Sequence, residues 1–385
     1  MSPKNVVLTA LLIIGTAILL MTPISLPSNM GAGDFRPYWS SSYLLAHGQD
    51  FSDLSNMGRI ERTLTGWNES YTMYAWFVPT GNLVILPYTL FLFTRATYYW
   101  FITNIVVVFL SAILLWHNTK IRIWIPLSAT FGFSMTLLSL YYGQVNTFVM
   151  LGLALFIFFN ASKRDFTAGM SLVLTTIKPH LVILTLPLLL LNIIWQKQWR
   201  VLAGFVSTLI GCAFILYALY PQWAVSFWLV ITTGMSSFRE APTIAGLLVH
   251  VNAYLYGKWL WIAGLFLATI IWWKLKKDLN QRIFIDVSIL AGMVIAPVGW
   301  SYDQIMLLIP LLHVLEWIIS GSVSKKSTIV ITLILIVSNL MSFYERVLSL
   351  SEVWFFWIPL MVIAVYVFAW KQRQEIDLNV SAKTA

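Results

Sequence analysis

Gly31-Ala32-Gly33-Asp34-Phe35-Arg36-Pro37-Tyr38-Trp39 follows directly on the first long apolar run of the chain and holds its first acidic residue. Asp34 stands beside Arg36 among glycines and aromatics, where a membrane-crossing segment should return to water. A carboxylate there can accept a proton from a substrate approaching out of the lipid. It can equally cap a loop or pair with Arg36, and the stretch alone does not separate these roles. What separates them is where the other polar residues fall.

The 385 residues are 59% hydrophobic and 10% charged, with a mean hydropathy of +0.80. Soluble domains carry about 25% charged residues, so this composition belongs to a chain embedded in a bilayer. The lone Cys212 excludes a disulfide framework and a cysteine metal site. The start, Met1-Ser2-Pro3-Lys4 before an apolar run, resembles a signal peptide. The run 6–24 is long enough to span, however, and no small-x-small cleavage pattern follows it, so an uncleaved anchor is expected.

The net charge of +9 does not indicate a nucleic-acid binder. The basic residues sit in short clusters between apolar runs, such as Lys163/Arg164, Lys197/Arg200, Lys325/Lys326 and Lys371/Arg373. That is the positive-inside pattern of a multi-pass membrane protein. About twelve spans are expected, near 6–24, 97–116, 124–141, 145–161, 164–177, 181–195, 200–220, 257–274, 283–299, 303–320, 327–344 and 352–370. The apolar stretch 75–93 is interrupted by Pro79, Gly81 and Pro87 and is expected to embed without crossing. With both termini cytoplasmic, 16 of the 24 Lys and Arg fall inside, while 9 of the 15 acids fall outside. The expected architecture is an all-α polytopic bundle over 1–370, with outer loops at 25–96 and 221–256. The first loop should hold interfacial helices lying on the membrane, and 371–385 should be a disordered polar cytoplasmic tail.

The polar oddities then collect on the outer side from five separate connections. They are Asp34 with Arg36; Gln144 and Asn146; Lys178-Pro179-His180; Arg239-Glu240; and Trp300 through Gln304. Ionisable groups at membrane depth are costly and face a cavity or one another, so one extracytoplasmic site is expected. Lys178 and His180 flank a helix-breaking proline and form a cationic tip suited to a phosphate, unless Lys178 merely snorkels. Gln144 can bond sugar hydroxyls or cap a hairpin. Asp303 can be a second carboxylate of the site or a favourable helix N-terminal acid. Arg239 can reach a phosphate, and Tyr38 and Trp300 can stack on sugar faces. No Walker loop, nucleophile elbow or metal-binding histidine spacing occurs, and no cofactor or metal is expected.

Several pieces, in order, resemble glycosyltransferase family 87, polyprenyl-phosphate-mannose-dependent enzymes of the GT-C type. They are Asp34-Phe35-x-x-Tyr38, Leu44-Leu45-Ala46-His47-Gly48, Val78-Pro79 with Pro87, Tyr142-Gly143-Gln144-Val145-Asn146, Lys178-Pro179-His180 and Ala296-Pro297-x-x-Trp300. The resemblance implies an inverting transfer of a sugar, mannose in the family, from a polyprenyl-phosphate donor to an acceptor hydroxyl on a lipid, glycan or protein. It places the general base at Asp34. Many relatives carry a histidine soon after this tryptophan, whereas Tyr302-Asp303 follow here. A transporter or flippase of lipid-linked glycans, a glycan ligase, and a non-enzymatic scaffold are the competing readings. A transporter should spread its ionisable groups through the midplane of two matching halves, which this chain does not do.

Overall fold

The computed structural model describes residues 30–117, 122–234, 240–249, 251–257, 259–277 and 280–384. The expected first span at 6–24 and Arg239 lie outside these residues. Everything described is helix or connection, without a strand among the described residues. In chain order the helices that build the site are α1 (Phe35–Ala46), α2 (Leu54–Thr65), α3 (Thr80–Ile85), α4 (Phe93–Leu115), α5 (Trp124–Phe131), α6 (Ser134–Tyr142), α7 (Asn146–Ala161) and α8 (Asp165–Leu172). They continue with α9 (Thr185–Trp195), α10 (Trp199–Leu219), α11 (Trp223–Gly234), α12 (Ile244–Val249), α13 (Tyr254–Gly257), α14 (Leu260–Leu275), α15 (Gln281–Ile295), α16 (Leu308–Ile319), α17 (Lys325–Val347) and α18 (Trp357–Thr384).

Among the described residues, five stretches are long and apolar enough to cross a bilayer: α4, α10, Ser301–Ile319, α17 and Glu352–Gln374. Helix α4 has no proline or glycine and is apolar on all sides, as a helix inside a membrane bundle must be. Helices α8 and α10 cross where Gly169 meets the Val201 carbonyl and Gly204 meets that of Phe166, contacts a β-carbon would block. Polar side chains join others: Thr147 of α7 bonds Asn104 of α4.

Three expectations change. The run 124–141 is not one helix, because it breaks at Gly132 and the extended Phe133 into α5 and α6. The backbone N–H of Ser134 freed there donates to Asn339 Oδ1 of α17 at 2.8 Å, so the break is satisfied by a neighbour. Helix α1 does not lie on a surface; ten of its twelve residues are buried. Phe35 stacks on Trp100 of α4 with centroids 5.2 Å apart, and Ser42 Oγ donates to Asn82 Oδ1 of α3 at 2.9 Å. Lastly, the polar C-terminal segment is not coil, since α18 runs on to Thr384. Its Gln, Arg, Glu, Leu and Ala residues propagate a helix already nucleated in the apolar part.

The stretch 75–93 contains α3 and a 3-10 turn, Leu86–Leu90, of six and five residues. Neither approaches the roughly 20 residues a crossing requires. Helices α4 and α7 start, and α15 ends, at one end of the bundle. The segment 296–307 leading into α16 lies there too. That end carries the site.

Candidate active site

The turn before α1 is held by α6. Gly31 N donates to Tyr141 O at 2.6 Å and Asp34 N to Tyr142 O at 2.9 Å. The close approach depends on Gly143, which is left-handed (φ +67) and where a β-carbon would strike the Gly31 carbonyl. Trp100 Nε1 donates to Gly143 O at 2.7 Å, fixing the same tip from the other side. Asp34 and Gln144, 110 residues apart, are thereby brought into contact, and Gln144 Nε2 donates to Asp34 Oδ2.

Gln144 is fully buried and is the hinge of the site. Its Oε1 accepts from Lys178 Nζ at 2.7 Å and from the Tyr38 hydroxyl at 3.0 Å. Both ends of the amide are therefore engaged within the protein. Gln144 is not among the residues that line the cavity and sits as a spacer between Asp34 and Lys178. Lys178 comes into place because Pro179 forces it out of helical geometry (φ −128, ψ 83) before the 3-10 turn Pro179–Val182. Its side chain is 1% exposed and also donates to Asp303 Oδ1 at 3.3 Å. An ammonium has three donors, and these contacts use two.

Asp303 is saturated. Beyond Lys178 it accepts from Trp300 N at 3.1 Å and bonds His180 Nε2 at 3.2 Å, with Asn146 Nδ2 at 3.5 Å. It is 2% exposed and does not border the cavity that Asp34 does. Asp34 differs: it is half-buried and borders a cavity of about 370 Å³. Lys178, Tyr38, Trp300 and Tyr302 border the same cavity, with the irregular strap 71–74 and Trp76 on the other side. The Trp300 and Tyr302 rings stack, 8° from parallel at 6.0 Å, and Lys178 Nζ lies 5.7 and 5.3 Å from their centroids. Burial pushes the Asp34 carboxyl above its ordinary value, against the opposing pull of Lys178 and of the neighbouring Tyr302 and Gln144 side chains.

Arg36 is not part of this cavity. Its Nε donates to Thr65 Oγ1 of α2 at 2.9 Å and its guanidinium lies 4.5 Å from the Trp67 ring centroid. The adjacency of Asp34 and Arg36 in sequence suggested a shared site, but successive helical positions diverge in direction. His180 stays at the margin, against Asp303 and the edge of Trp300. The structure adds the Tyr302 ring and the strap to the cavity wall. The run of aromatics Tyr71, Tyr74 and Trp76 directly after the polar stretch that ends at Ser70 is the sequence signal for the strap. Among the described residues no three His, Cys, Asp or Glu side chains come together as a metal cluster.

An aromatic-walled cavity with one accessible carboxylate and one buried ammonium, set at the end of an apolar helical bundle, is built to receive a polar substrate. The sequence profile of glycosyltransferase family 87 matches residues 77–298, more than half of the chain, and the chain belongs to this family. It is a membrane glycosyltransferase consistent with the GT-C type. Comparison with curated proteins and with solved structures gives no match. Gln144, Lys178 and His180 fall within the matched region, Trp300 and Asp303 lie just after it, and Asp34 lies well before its start at residue 77.

Proposed function

We propose that this chain transfers a sugar, mannose on the family resemblance, from a polyprenyl-phosphate donor to an acceptor hydroxyl with inversion. The observation that carries the reading is the inequality of the two aspartates: Asp34 faces the cavity with lone pairs to spare, while those of Asp303 are taken. In this reading the acceptor hydroxyl gives its proton to Asp34 as its oxygen bonds to the anomeric carbon. The bond from that carbon to the phosphate oxygen breaks on the opposite face, and its electron pair leaves with the lipid phosphate. Lys178, with His180 beside it, meets the charge that develops there. Tyr38, Trp300 and Tyr302 hold the sugar ring. No metal is assigned a role.

The proposal includes a bundle of about twelve spans, with 75–93 embedded but not crossing. The site then faces the outside of the cytoplasmic membrane and both termini lie inside. Cysteines introduced at Arg95 and Lys163 test this, being reachable only from outside and only from inside, respectively. Reversed labelling refutes the orientation.

The direct test supplies purified protein in nanodiscs with polyprenyl-phosphate mannose, glucose or arabinose, with and without a chelator, and follows free polyprenyl phosphate. Consumption of one donor, with the new bond inverted, is expected. Release of lipid phosphate with retained configuration overturns the mechanism, and transport of an intact lipid-linked glycan would favour a flippase.

A further inference from the structure

We propose that Arg346 and Glu352, at the junction of α17 and α18, are positioning residues for the Trp300–Tyr302 wall of the cavity. This makes the C-terminal helix pair part of the active site, though it lies beyond the region that matches the family. The proposal deepens the glycosyltransferase reading and rests on it for its kinetic arm alone.

The wall is a sharp feature. Trp300 is extended (φ −129, ψ 161), and the 3-10 turn Ser301–Leu307 starts immediately after it. The first N–H groups of such a turn have no partner within it and must find one elsewhere. Here they are taken in different directions. Trp300 N donates to Asp303 Oδ2 within the site, whereas Ser301 N donates to Glu352 Oε2 at 2.6 Å. Arg346 Nη2 completes the clamp, donating to Glu352 Oε1 at 2.9 Å and to the Ser301 hydroxyl. Its guanidinium rests 4.6 Å from the Phe355 ring centroid, and Gln304 Nε2 donates to Phe355 O at 3.0 Å.

Ser301 is fully buried between two residues that border the cavity. Its backbone sets the plane in which the Trp300 and Tyr302 rings stack, and Asp303, two residues on, holds Lys178 and His180. Neither Arg346 nor Glu352 borders the cavity, so they act on a substrate indirectly, and this backbone is the part of the wall they hold by hydrogen bonds. An exposed ion pair contributes little by itself. This one is tied to a buried turn, so removing it also strands the Ser301 N–H.

The test compares wild type with Glu352→Ala, Glu352→Gln and Arg346→Gln, all full-length in nanodiscs. It reads hydrogen exchange of the backbone 299–304 and kinetics with the lipid-phosphate sugar that wild type consumes. Glu352→Ala should speed exchange of this segment and raise the donor KM about tenfold, with kcat changed less than about threefold. Glu352→Gln keeps an acceptor for Ser301 N and should restore most of both. If Glu352→Ala does not fold, Arg346→Gln carries the test with the same expected direction. Wild-type exchange and KM in Glu352→Ala, or a loss of kcat with exchange unchanged, overturns the proposal. If wild type consumes no such donor, the functional reading fails, and exchange of 299–304 still decides whether the clamp exists.

Discussion

The same chemical trio occurs twice in this bundle, at opposite ends of α15 and α16. At the site end Asp303 holds Lys178 and His180. At the other end Asp286, fully buried, holds Arg282 at 3.5 Å and His313, and also accepts from the Tyr366 hydroxyl at 3.1 Å. In both places an aspartate, a cation and a histidine allow charge to be carried into an apolar interior. The trio is thus a solution to burial and does not by itself make an active site. The difference lies in what adjoins it. The Asp303 trio backs onto the large cavity and is joined through Gln144 to a second carboxylate that is not used up. The Asp286 trio is closed by Tyr366 and Trp317; only Arg282 borders a smaller hollow of about 180 Å³.

If that reading is right, Asp34→Asn produces the largest effect of any single conservative change. Asparagine keeps the shape and the bond from Gln144 but accepts no proton. Turnover should fall about 10²–10⁴-fold, with donor binding and folded yield retained. The pH profile of wild-type turnover should show an acid limb above the ordinary carboxylate range, because burial raises Asp34. Steady-state kinetics across pH 4–8 measures both. Near-normal turnover in Asp34→Asn would leave Asp303 as the base and undo the comparison.

The two trios are then separated by stability against chemistry. Asp286→Ala removes the carboxylate shared by Arg282, His313 and the Tyr366 hydroxyl and should cost roughly 3–5 kcal/mol of stability, while the activity of the molecules that do fold is unchanged. Lys178→Met should lower kcat/KM by roughly 10–100-fold with the larger share in the donor step, as expected for loss of one preorganised cation. Denaturation and kinetics on the same preparations decide it. A catalytic defect in Asp286→Ala that exceeds its loss of folded protein would make the second trio functional too.

Much of this could be read from the chain, for identifiable reasons. Charge asymmetry and apolar runs mark an embedded helical bundle because the bilayer imposes both. Asp34, Gln144, Lys178 and Asp303 stood out because polar groups are rare in such a chain. Their relations did not. Nothing along the sequence shows that Gln144 is turned inward between Asp34 and Lys178, or that Arg36 leaves for α2. Those facts depend on the Gly31–Gly143 approach, a contact between parts of the chain more than a hundred residues apart. The break at Gly132 was concealed for a similar reason, since Asn339 of α17 supplies the missing partner. Nothing along the sequence links Arg346 and Glu352 to Ser301, some fifty residues earlier, which the fold sets between them.

A third buried carboxylate sharpens the comparison, with the smallest expected effect. Glu61 of α2 is fully buried, yet it has no ion-pair partner within 4 Å among the described residues and its Oε1 accepts no hydrogen bond there. Its Oε2 accepts only a long bond from Met73 N at 3.4 Å, on the strap that borders the cavity. Burial pushes its carboxyl up to about 7, against a weaker opposing pull from that bond and from Arg36. The folded state therefore holds a proton that the unfolded chain releases near pH 4.5. Its stabilising contribution is complete below that pH and is lost as pH rises toward about 7, the opposite of a paired aspartate. Wild type should lose a few degrees of melting temperature between pH 5 and 8 that Glu61→Gln does not lose. Exchange at Met73 should quicken over the same interval in wild type alone. A melting temperature equally flat in both proteins would mean that Glu61 is compensated as fully as Asp303, and burial without a partner would no longer distinguish it.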